Sequence, residues 1–198
     1  FIYHMAGLNK AYGTKKVLEN IHLSFYPDAK IGILGPNGAG KSTVLRAVAG
    51  LEPVRSGHVR FCGEAWDEPA TGAFVAPEAR SVGMVFQRYL LFDHLSVRDN
   101  VAFGLRARGQ RSSEARRTAE AVLTRLGLTT LADRRPPTLS GGQAQRVALA
   151  RALAIEPGVV LLDEPLAAID VAARPQLRSE LAASLARTDV CRVLVTHD

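Results

Sequence analysis

Nine consecutive residues have the composition and spacing needed to hold a polyphosphate. A glycine is followed by four residues and then by Gly40, Lys41 and Ser42. Glycines let successive backbone N–H groups point at one anion, Lys41 suits the β- and γ-phosphates, and the Ser42 hydroxyl suits Mg²⁺. The alternative is a glycine-rich turn without a ligand, but the complete pattern favours phosphate binding. The predicted segment consists of Gly35, Pro36, Asn37, Gly38, Ala39, Gly40, Lys41, Ser42 and Thr43.

The residues on either side of this segment supply the strand and the helix that such a loop requires. An apolar run over 31–34 predicts a buried strand, and the pattern over 44–49 predicts a helix. The amino end of that helix would add the positive end of its dipole next to a bound anion.

Two adjacent carboxylates follow another apolar run. The run over 159–162 does not alternate with polar residues, which predicts a strand covered on both faces, and Asp163 and Glu164 come directly after it. Asp163 is suited to Mg²⁺, and Glu164 to a general base that activates water. A solvated acidic strand end is the alternative, and the phosphate-binding pattern weakens it.

Two more polar residues end apolar runs. Gln87 follows the run over 82–86, and His197 follows the run over 190–195. In open α/β sheets, ligands bind at the carboxyl ends of the strands, so both side chains are candidates for contacts with a ligand. A polar strand terminus and a structural histidine are the respective alternatives.

Two further positions have a binding and a structural interpretation. Ser140, Gly141 and Gly142 precede the predicted helix 144–155, where they would form either a second anion site or a plain helix cap. Tyr12 lies in a predicted turn, where it would be either a flat face for a purine ring or an ordinary turn aromatic.

The remaining pattern is that of a mixed α/β protein. Residues 1–30 predict short antiparallel strands, residues 62–80 a loop-rich stretch, residues 95–131 helix, and residues 171–186 a further helix. In the third of these regions Ser112 or Ser113 is the predicted N-cap. The apolar face of its helix is formed by Ala115, Ala119, Val122, Leu123 and Leu126.

Composition excludes little beyond a membrane span. The chain has 198 residues, enough for one compact unit, and no apolar stretch long enough to cross a bilayer. Its two cysteines are in no metal or redox spacing, as expected in a reducing cytoplasm, and its amino end shows no secretion signal. The net charge of +6 fits a nucleic-acid surface or a solvated helix face equally well.

Together these motifs resemble the nucleotide-binding domain of ABC ATPases. Residues 139–143, Leu-Ser-Gly-Gly-Gln, match the signature sequence of that family residue for residue. The resemblance implies that Tyr12 stacks on adenine, that Gln87 is the Q-loop glutamine near Mg²⁺, and that His197 is the switch histidine. Asp170 matches the D-loop aspartate. The implied magnesium set is Ser42, Gln87 and Asp163; the implied catalytic set is Lys41, Gln87, Glu164 and His197.

The resemblance also implies an architecture. The fold would be that of an α/β P-loop NTPase, in which a parallel RecA-like core sheet carries an amino-terminal antiparallel subdomain over 1–30. The core would comprise 31–87 and 156–198, and a helical subdomain 88–155. Two domains would associate head to tail, with Ser140, Gly141, Gly142 and Gln143 of one closing over ATP and Mg²⁺ held by the other.

The branch of the family is indicated differently by two regions of the chain. Residues 61–198 resemble bacterial import ATPases of the molybdate type, which implies a membrane permease contacting the surface around Gln87, at the cytoplasmic face of the membrane. Residues 1–50 resemble ABC-F translation factors, which would contact ribosomal RNA; only under that alternative is direct nucleic-acid contact expected. We therefore consider a hybrid with a seam at 50–60, or an engineered fragment, as alternatives to a natural importer subunit.

The chain ends immediately after the predicted switch histidine, whereas family members continue with further strands and helices. We therefore expect a domain truncated at its carboxyl end. ATP binding would tolerate this more readily than hydrolysis.

Overall fold

The computed structural model describes residues 3–26, 29–34, 38–167, 172, 174–186 and 190–196. Their strands are β1 Tyr3–Tyr12, β2 Lys15–Phe25, β3 Lys30–Leu34, β4 Ser56–Phe61, β5 Glu64–Glu68, β6 Ala73–Phe74, β7 Val82–Val85, β8 Val159–Asp163 and β9 Cys191–Thr196. Their α-helices are α1 Lys41–Ala49, α2 Val97–Ala107, α3 Ser112–Arg125, α4 Gly141–Ala154 and α5 Arg174–Ala186. Short 3₁₀ turns occupy Pro77–Ala79, Thr129–Leu131 and Pro136–Thr138.

The chain divides into two compact units, which are described one at a time. Unit 1 comprises Phe1–Val82 with Val190–Asp198, and unit 2 comprises Gly83–Asp189. Unit 1 therefore contains β1 to β6, β9 and α1, and unit 2 contains α2 to α5 with β8.

An antiparallel sheet in unit 1 has the strand order β2-β1-β4-β5-β6. Tyr3 of β1 lies opposite Phe25 of β2 and Phe61 of β4, and its ring also packs edge-on against Trp66 at 5.6 Å. The Tyr3 hydroxyl donates a hydrogen bond of 3.2 Å to the carbonyl of Val48, so this aromatic cluster fastens α1 to the sheet.

The antiparallel pairing of strands predicted within 1–30 is observed between β1 and β2, and their sheet also includes strands from further along the chain. The loop-rich interpretation of 62–80 is wrong for some of its residues, because β5 and β6 form there by pairing with β4 and with each other. Trp66 of β5 is 3% exposed. Its place in the core depends on strands distant in sequence, which local composition does not reveal.

Unit 1 also contains a parallel pair of strands. Residues Lys30 to Leu34 of β3 pair in register with Arg192 to Thr196 of β9. Both strands end where functional residues were predicted, with the phosphate-binding segment after β3 and His197 after β9. The mixed α/β fold class is confirmed.

A buried arginine joins α1 to the antiparallel sheet. Arg80 is 0% exposed, and its guanidinium donates hydrogen bonds to the carbonyls of Ala47 and Val48 in α1, each at 2.9 Å. It donates two more to the carbonyls of Trp66 at 2.9 Å and Val75 at 2.8 Å. Its positive charge therefore lies at the carboxyl end of the α1 dipole.

In unit 2, the helices α2, α3 and α4 pack on one another through small and branched side chains. The predicted apolar face of α3, from Ala115 to Leu126, is buried as expected. The predicted cap is wrong: α3 begins at Ser112, so Arg111 occupies the N-cap position and no side chain caps the helix. Strand β8 is buried along its whole length, which confirms its prediction as a strand covered on both faces.

Candidate nucleotide-binding site

The amino end of α1 is shaped by glycines and lacks a side-chain cap. The N-cap residue Gly40 has φ 80°, Gly38 has φ 82°, and Gly40 provides no side-chain cap for the helix. A Cβ on Gly40 would lie 2.8 Å from the carbonyl oxygen of Val17, so only glycine fits. The first amides of α1, together with the helix dipole, suit an anionic ligand.

Lys41 and Ser42 form the first turn of this helix. Lys41 is only 7% exposed, and a buried ammonium is stable only beside groups that offset its charge. Gly38, Ala39, Gly40 and Thr43 are also described, whereas Gly35, Pro36 and Asn37 lie outside the described residues. The described residues of the segment fit a triphosphate.

Unit 1 brings Tyr12 next to this segment. Tyr12 is 49% exposed at the end of β1, its hydroxyl donates a hydrogen bond to the Glu52 carboxylate, and the Thr43 side chain lies close enough to influence the pKa of the phenol. The bond to Glu52 raises the pKa of the Tyr12 phenol. Lys10 Nζ lies 5.4 Å from the centroid of the Tyr12 ring. An exposed, anchored aromatic beside Thr43 is consistent with stacking on a base.

Unit 2 brings together Gln87 and Glu164, which are 77 residues apart. The Gln87 side-chain amide lies 3.4 Å from Glu164 Oε2, a long hydrogen bond that the amide donates. Glu164 has φ 44°, a left-handed conformation that is uncommon for a non-glycine residue and is often found at functional sites. Asp163 precedes it at the end of β8 and is 6% exposed.

These carboxylates fit a magnesium site that is completed by phosphate oxygens. Among the described residues, no three His, Cys, Asp or Glu side chains are grouped so that they could hold a metal ion by themselves. Mg²⁺ is usually bound by one or two carboxylates with water and substrate phosphates, so a single buried Asp163 is sufficient on the protein side.

The segment 140–143 forms the amino end of α4. Ser140 Oγ accepts a hydrogen bond from the Gln143 amide at 3.3 Å, and Gln143 Oε1 accepts one from the Ser140 amide at 3.0 Å. These two hydrogen bonds form a capping box, which is the helix-cap role that the sequence predicts as one alternative for this segment. A Cβ at Gly142 would lie 2.6 Å from a terminal methyl of Leu177 of α5, so a larger residue there would require the leucine side chain to shift.

A family model described as ABC transporter matches residues 18–167, three quarters of the chain. The chain belongs to the ABC transporter family. ABC ATPase domains bind ATP together with Mg²⁺ and hydrolyse it, and the predicted ABC ATPase domain, its fold class and its cofactors ATP and Mg²⁺ agree with that.

Two curated relatives of this ABC ATPase domain are bacterial import proteins. The sulfate/thiosulfate import ATP-binding protein CysA of Bordetella pertussis is 49% identical over 197 residues, covering 97% of this chain and 54% of the relative. The maltose/maltodextrin import ATP-binding protein MalK of Photorhabdus laumondii is 44% identical over 191 residues, covering 96% and 50%. The chain thus spans about half the length of the curated relatives it matches.

A solved structure has the same fold as the ABC ATPase domain. The structure of cbiO1 from Clostridium perfringens, described as part of the ABC transporter complex cbiONQ, superposes with a TM-score of 0.83 at 31% identity. The match covers 100% of this chain and 79% of that one.

The hybrid hypothesis is not supported. One import protein matches 97% of the chain in a single alignment, so residues 1–50 need no second parent, and the resemblance of that region to ABC-F factors is not supported either.

Two predicted site residues are not described, and two residues next to predicted ones were missed from the sequence. Asp170 and His197 lie outside the described residues. Glu52, which holds Tyr12, and Arg151, which bonds to the backbone just after Gln87, were not singled out from the sequence. Both act on partners 40 or more positions away, which no local pattern marks.

Proposed function

We propose that the chain is the ATP-binding and ATP-hydrolysing domain of an ABC importer. The supporting observation is the uncapped, glycine-shaped amino end of α1 with the buried Lys41, in a chain of the ABC family. An amino end of this kind suits a phosphate, and the buried lysine supplies charge for the β- and γ-phosphates.

The phosphates would be held by the segment 35–43, with the Lys41 ammonium on the β- and γ-phosphates. Ser42, Asp163 and Gln87 would provide the protein ligands of Mg²⁺, directly or through water. When bound, Mg²⁺ neutralises negative charge on the phosphate oxygens. Tyr12 would support the adenine ring by stacking, because its ring is exposed and fixed by Glu52.

Glu164 would act as the general base that takes a proton from the attacking water. The Gln87 amide contacts the same carboxylate and would help to orient it. We assign His197 to the γ-phosphate and Asp170 to the contact between two domains, on the family resemblance. Most of the rate would come from electrostatic positioning by Lys41 and the helix end.

Hydrolysis would require a second copy of the domain. Ser140, Gly141, Gly142 and Gln143 of one chain would close over the nucleotide of the other, since the first amides of α4 have the polarity that favours a phosphate. The division into an antiparallel subdomain over 1–30, a core over 31–87 with 156–198, and a helical subdomain over 88–155 stays a prediction.

A membrane permease would dock on the surface after Gln87, which places the domain at the cytoplasmic face of the membrane. Unit 2 has an open pocket of 530 Å³ there, lined by residues 88–91 with Asp93, Pro136, Pro137 and Ala144. No helix within the described ranges is both long and apolar enough to cross a bilayer.

The solute would be a small oxyanion such as molybdate or sulfate, which are both tetrahedral dianions. The CysA relative named for sulfate and thiosulfate supports this choice, and a maltose-type sugar, after the MalK relative, is the alternative.

A nucleic-acid role is not proposed. Several arginines of unit 2 are already paired with acids, among them Arg98 with Asp133 at 2.7 Å and Arg116 with Asp99 at 3.1 Å.

Two substitutions test the proposed activity. Lys41→Ala should weaken MgATP binding at least tenfold in isothermal titration, whereas Lys16→Ala, which removes an exposed lysine, should leave it unchanged. Glu164→Gln should retain ATP binding and lose multi-turnover hydrolysis by about 100-fold or more. Equal affinity of the Lys41→Ala and unmodified chains, or sustained turnover by Glu164→Gln, would contradict the assignment.

A further inference from the structure

The Arg151 side chain of α4 forms hydrogen bonds to the backbone shortly after Gln87. Its Nη1 donates a hydrogen bond of 2.7 Å to the carbonyl of Leu90, and its Nη2 donates one of 2.8 Å to the carbonyl of Tyr89. The guanidinium carbon lies 5.6 Å from the centroid of the Phe92 ring. One planar side chain therefore holds two successive peptide groups in a forked contact, which Lys could not reproduce.

The two residues whose carbonyls accept these hydrogen bonds have an unfavourable backbone conformation. Tyr89 has φ 59° and Leu90 has φ 46°, two consecutive left-handed residues, neither of which is glycine. The Leu90 side chain is 55% exposed, so burial of that side chain does little to stabilise the turn. Charge-assisted hydrogen bonds are stronger than neutral ones, and the two from Arg151 act on the carbonyls of this turn.

The same turn connects to the proposed catalytic carboxylate in unit 2. Gln87 contacts Glu164 at 3.4 Å, and the Tyr89 hydroxyl donates a hydrogen bond of 3.4 Å to the carbonyl of Pro165, the next residue. Both contacts are long, so a small change in the backbone at Tyr89 would break them.

We propose that Arg151 is a positioning residue for ATP hydrolysis. It keeps Tyr89 and Leu90 in their left-handed conformation, and this keeps Gln87 and the Tyr89 hydroxyl within reach of residues 164 and 165. The proposal rests on the hydrolytic function proposed above, because its effect on the reaction passes through Glu164. A purely structural arginine would support the helix packing of α4 without any selective effect on turnover.

The first test is the variant Arg151→Met in the full chain, compared with Arg117→Met, which removes the same charge from an exposed position on α3. The kcat of Arg151→Met should fall at least tenfold while its KM for ATP stays within twofold, and Arg117→Met should change neither. Hydrogen exchange at the amides of residues 89–92 should accelerate at least tenfold, with the amides of α2 unchanged.

The second test is rescue by a residue that tolerates the left-handed region. Asparagine adopts positive φ far more readily than leucine, so Leu90→Asn should restore at least a third of the kcat lost in Arg151→Met. Rescue supports the proposal, because a defect in the packing of α4 would not be corrected by a change at an exposed turn residue.

Three results would overturn the proposal: unchanged exchange at 89–92 in Arg151→Met, a lower kcat that Leu90→Asn does not restore, or a changed KM with unchanged kcat. Should Arg151→Met not fold, Arg151→Lys takes its place with the same expected direction. Absence of turnover in the unmodified chain refutes the hydrolytic function and the role of Arg151 in it. The hydrogen-exchange measurement at residues 89–92 still decides whether Arg151 stabilises the turn at Tyr89 and Leu90.

Discussion

Replacement of Arg80 by methionine provides a quantitative test of how α1 is held in unit 1. The Arg80 guanidinium donates four hydrogen bonds to the carbonyls of Ala47, Val48, Trp66 and Val75, all within 2.9 Å. Methionine keeps an unbranched apolar side chain, which is shorter than that of arginine, and donates none of them. The variant would leave four carbonyl groups without this donor, two of them in the last turn of the helix that begins with Lys41.

The size of the effect follows from these bonds. Four charge-assisted hydrogen bonds at about 1.5 kcal/mol each amount to ~6 kcal/mol. Burial of the methionine side chain returns about 2 kcal/mol, so the net loss should be near 4 kcal/mol. For a domain with a stability of roughly 5–15 kcal/mol this is a severe loss.

Urea denaturation followed by circular dichroism measures this loss. With a slope of about 2 kcal/mol per molar, the midpoint of Arg80→Met should fall by ~2 M. Arg60→Met is the matched control, because Arg60 makes an ion pair with Glu68 while 41% of its side chain is exposed. Its cost should stay below about 1 kcal/mol. A loss under about 1 kcal/mol for Arg80→Met would refute the reasoning.

Three further predictions concern the nucleotide site and pH. Gly40→Ala should lower the free energy of unfolding by about 2 kcal/mol or more and weaken ATP binding in the same preparation, because φ 80° and a 2.8 Å backbone contact exclude a Cβ. Tyr12→Ala should raise the Kd of ATP by about 5- to 100-fold in titration, and Tyr12→Phe, which keeps the ring but loses the hydrogen bond to Glu52, should raise it less. Burial, Arg60 and His4 lower the pKa of His58 below its ordinary 6.5. The unfolded chain therefore binds this proton more readily, so stability should rise with pH up to about 6.5 and then level off; His58→Gln should flatten that slope, and an unaltered slope would contradict it.

Local residue chemistry determined the candidate site to a large extent. The spacing of Gly40, Lys41 and Ser42 predicts a helix amino end for a phosphate because the required backbone shape depends on neighbouring residues only. The carboxylates after an unbroken apolar run were predictable for a similar reason: a run without alternation indicates a strand buried on both faces, whose end is a ligand position. Residues 139–143 identified the family from the sequence alone.

Tertiary structure decided what depends on distant partners. The sequence pattern was misleading at 62–80, where β5 forms by pairing with β4. It was also misleading at Ser112, which is the first residue of α3 and not its N-cap; Arg111 occupies the N-cap position. The roles of Arg80 and Arg151 were invisible in the sequence. Both arginines donate to carbonyl groups, which every residue has, so their partners are selected by the fold, and burial further strengthens the hydrogen bonds of Arg80.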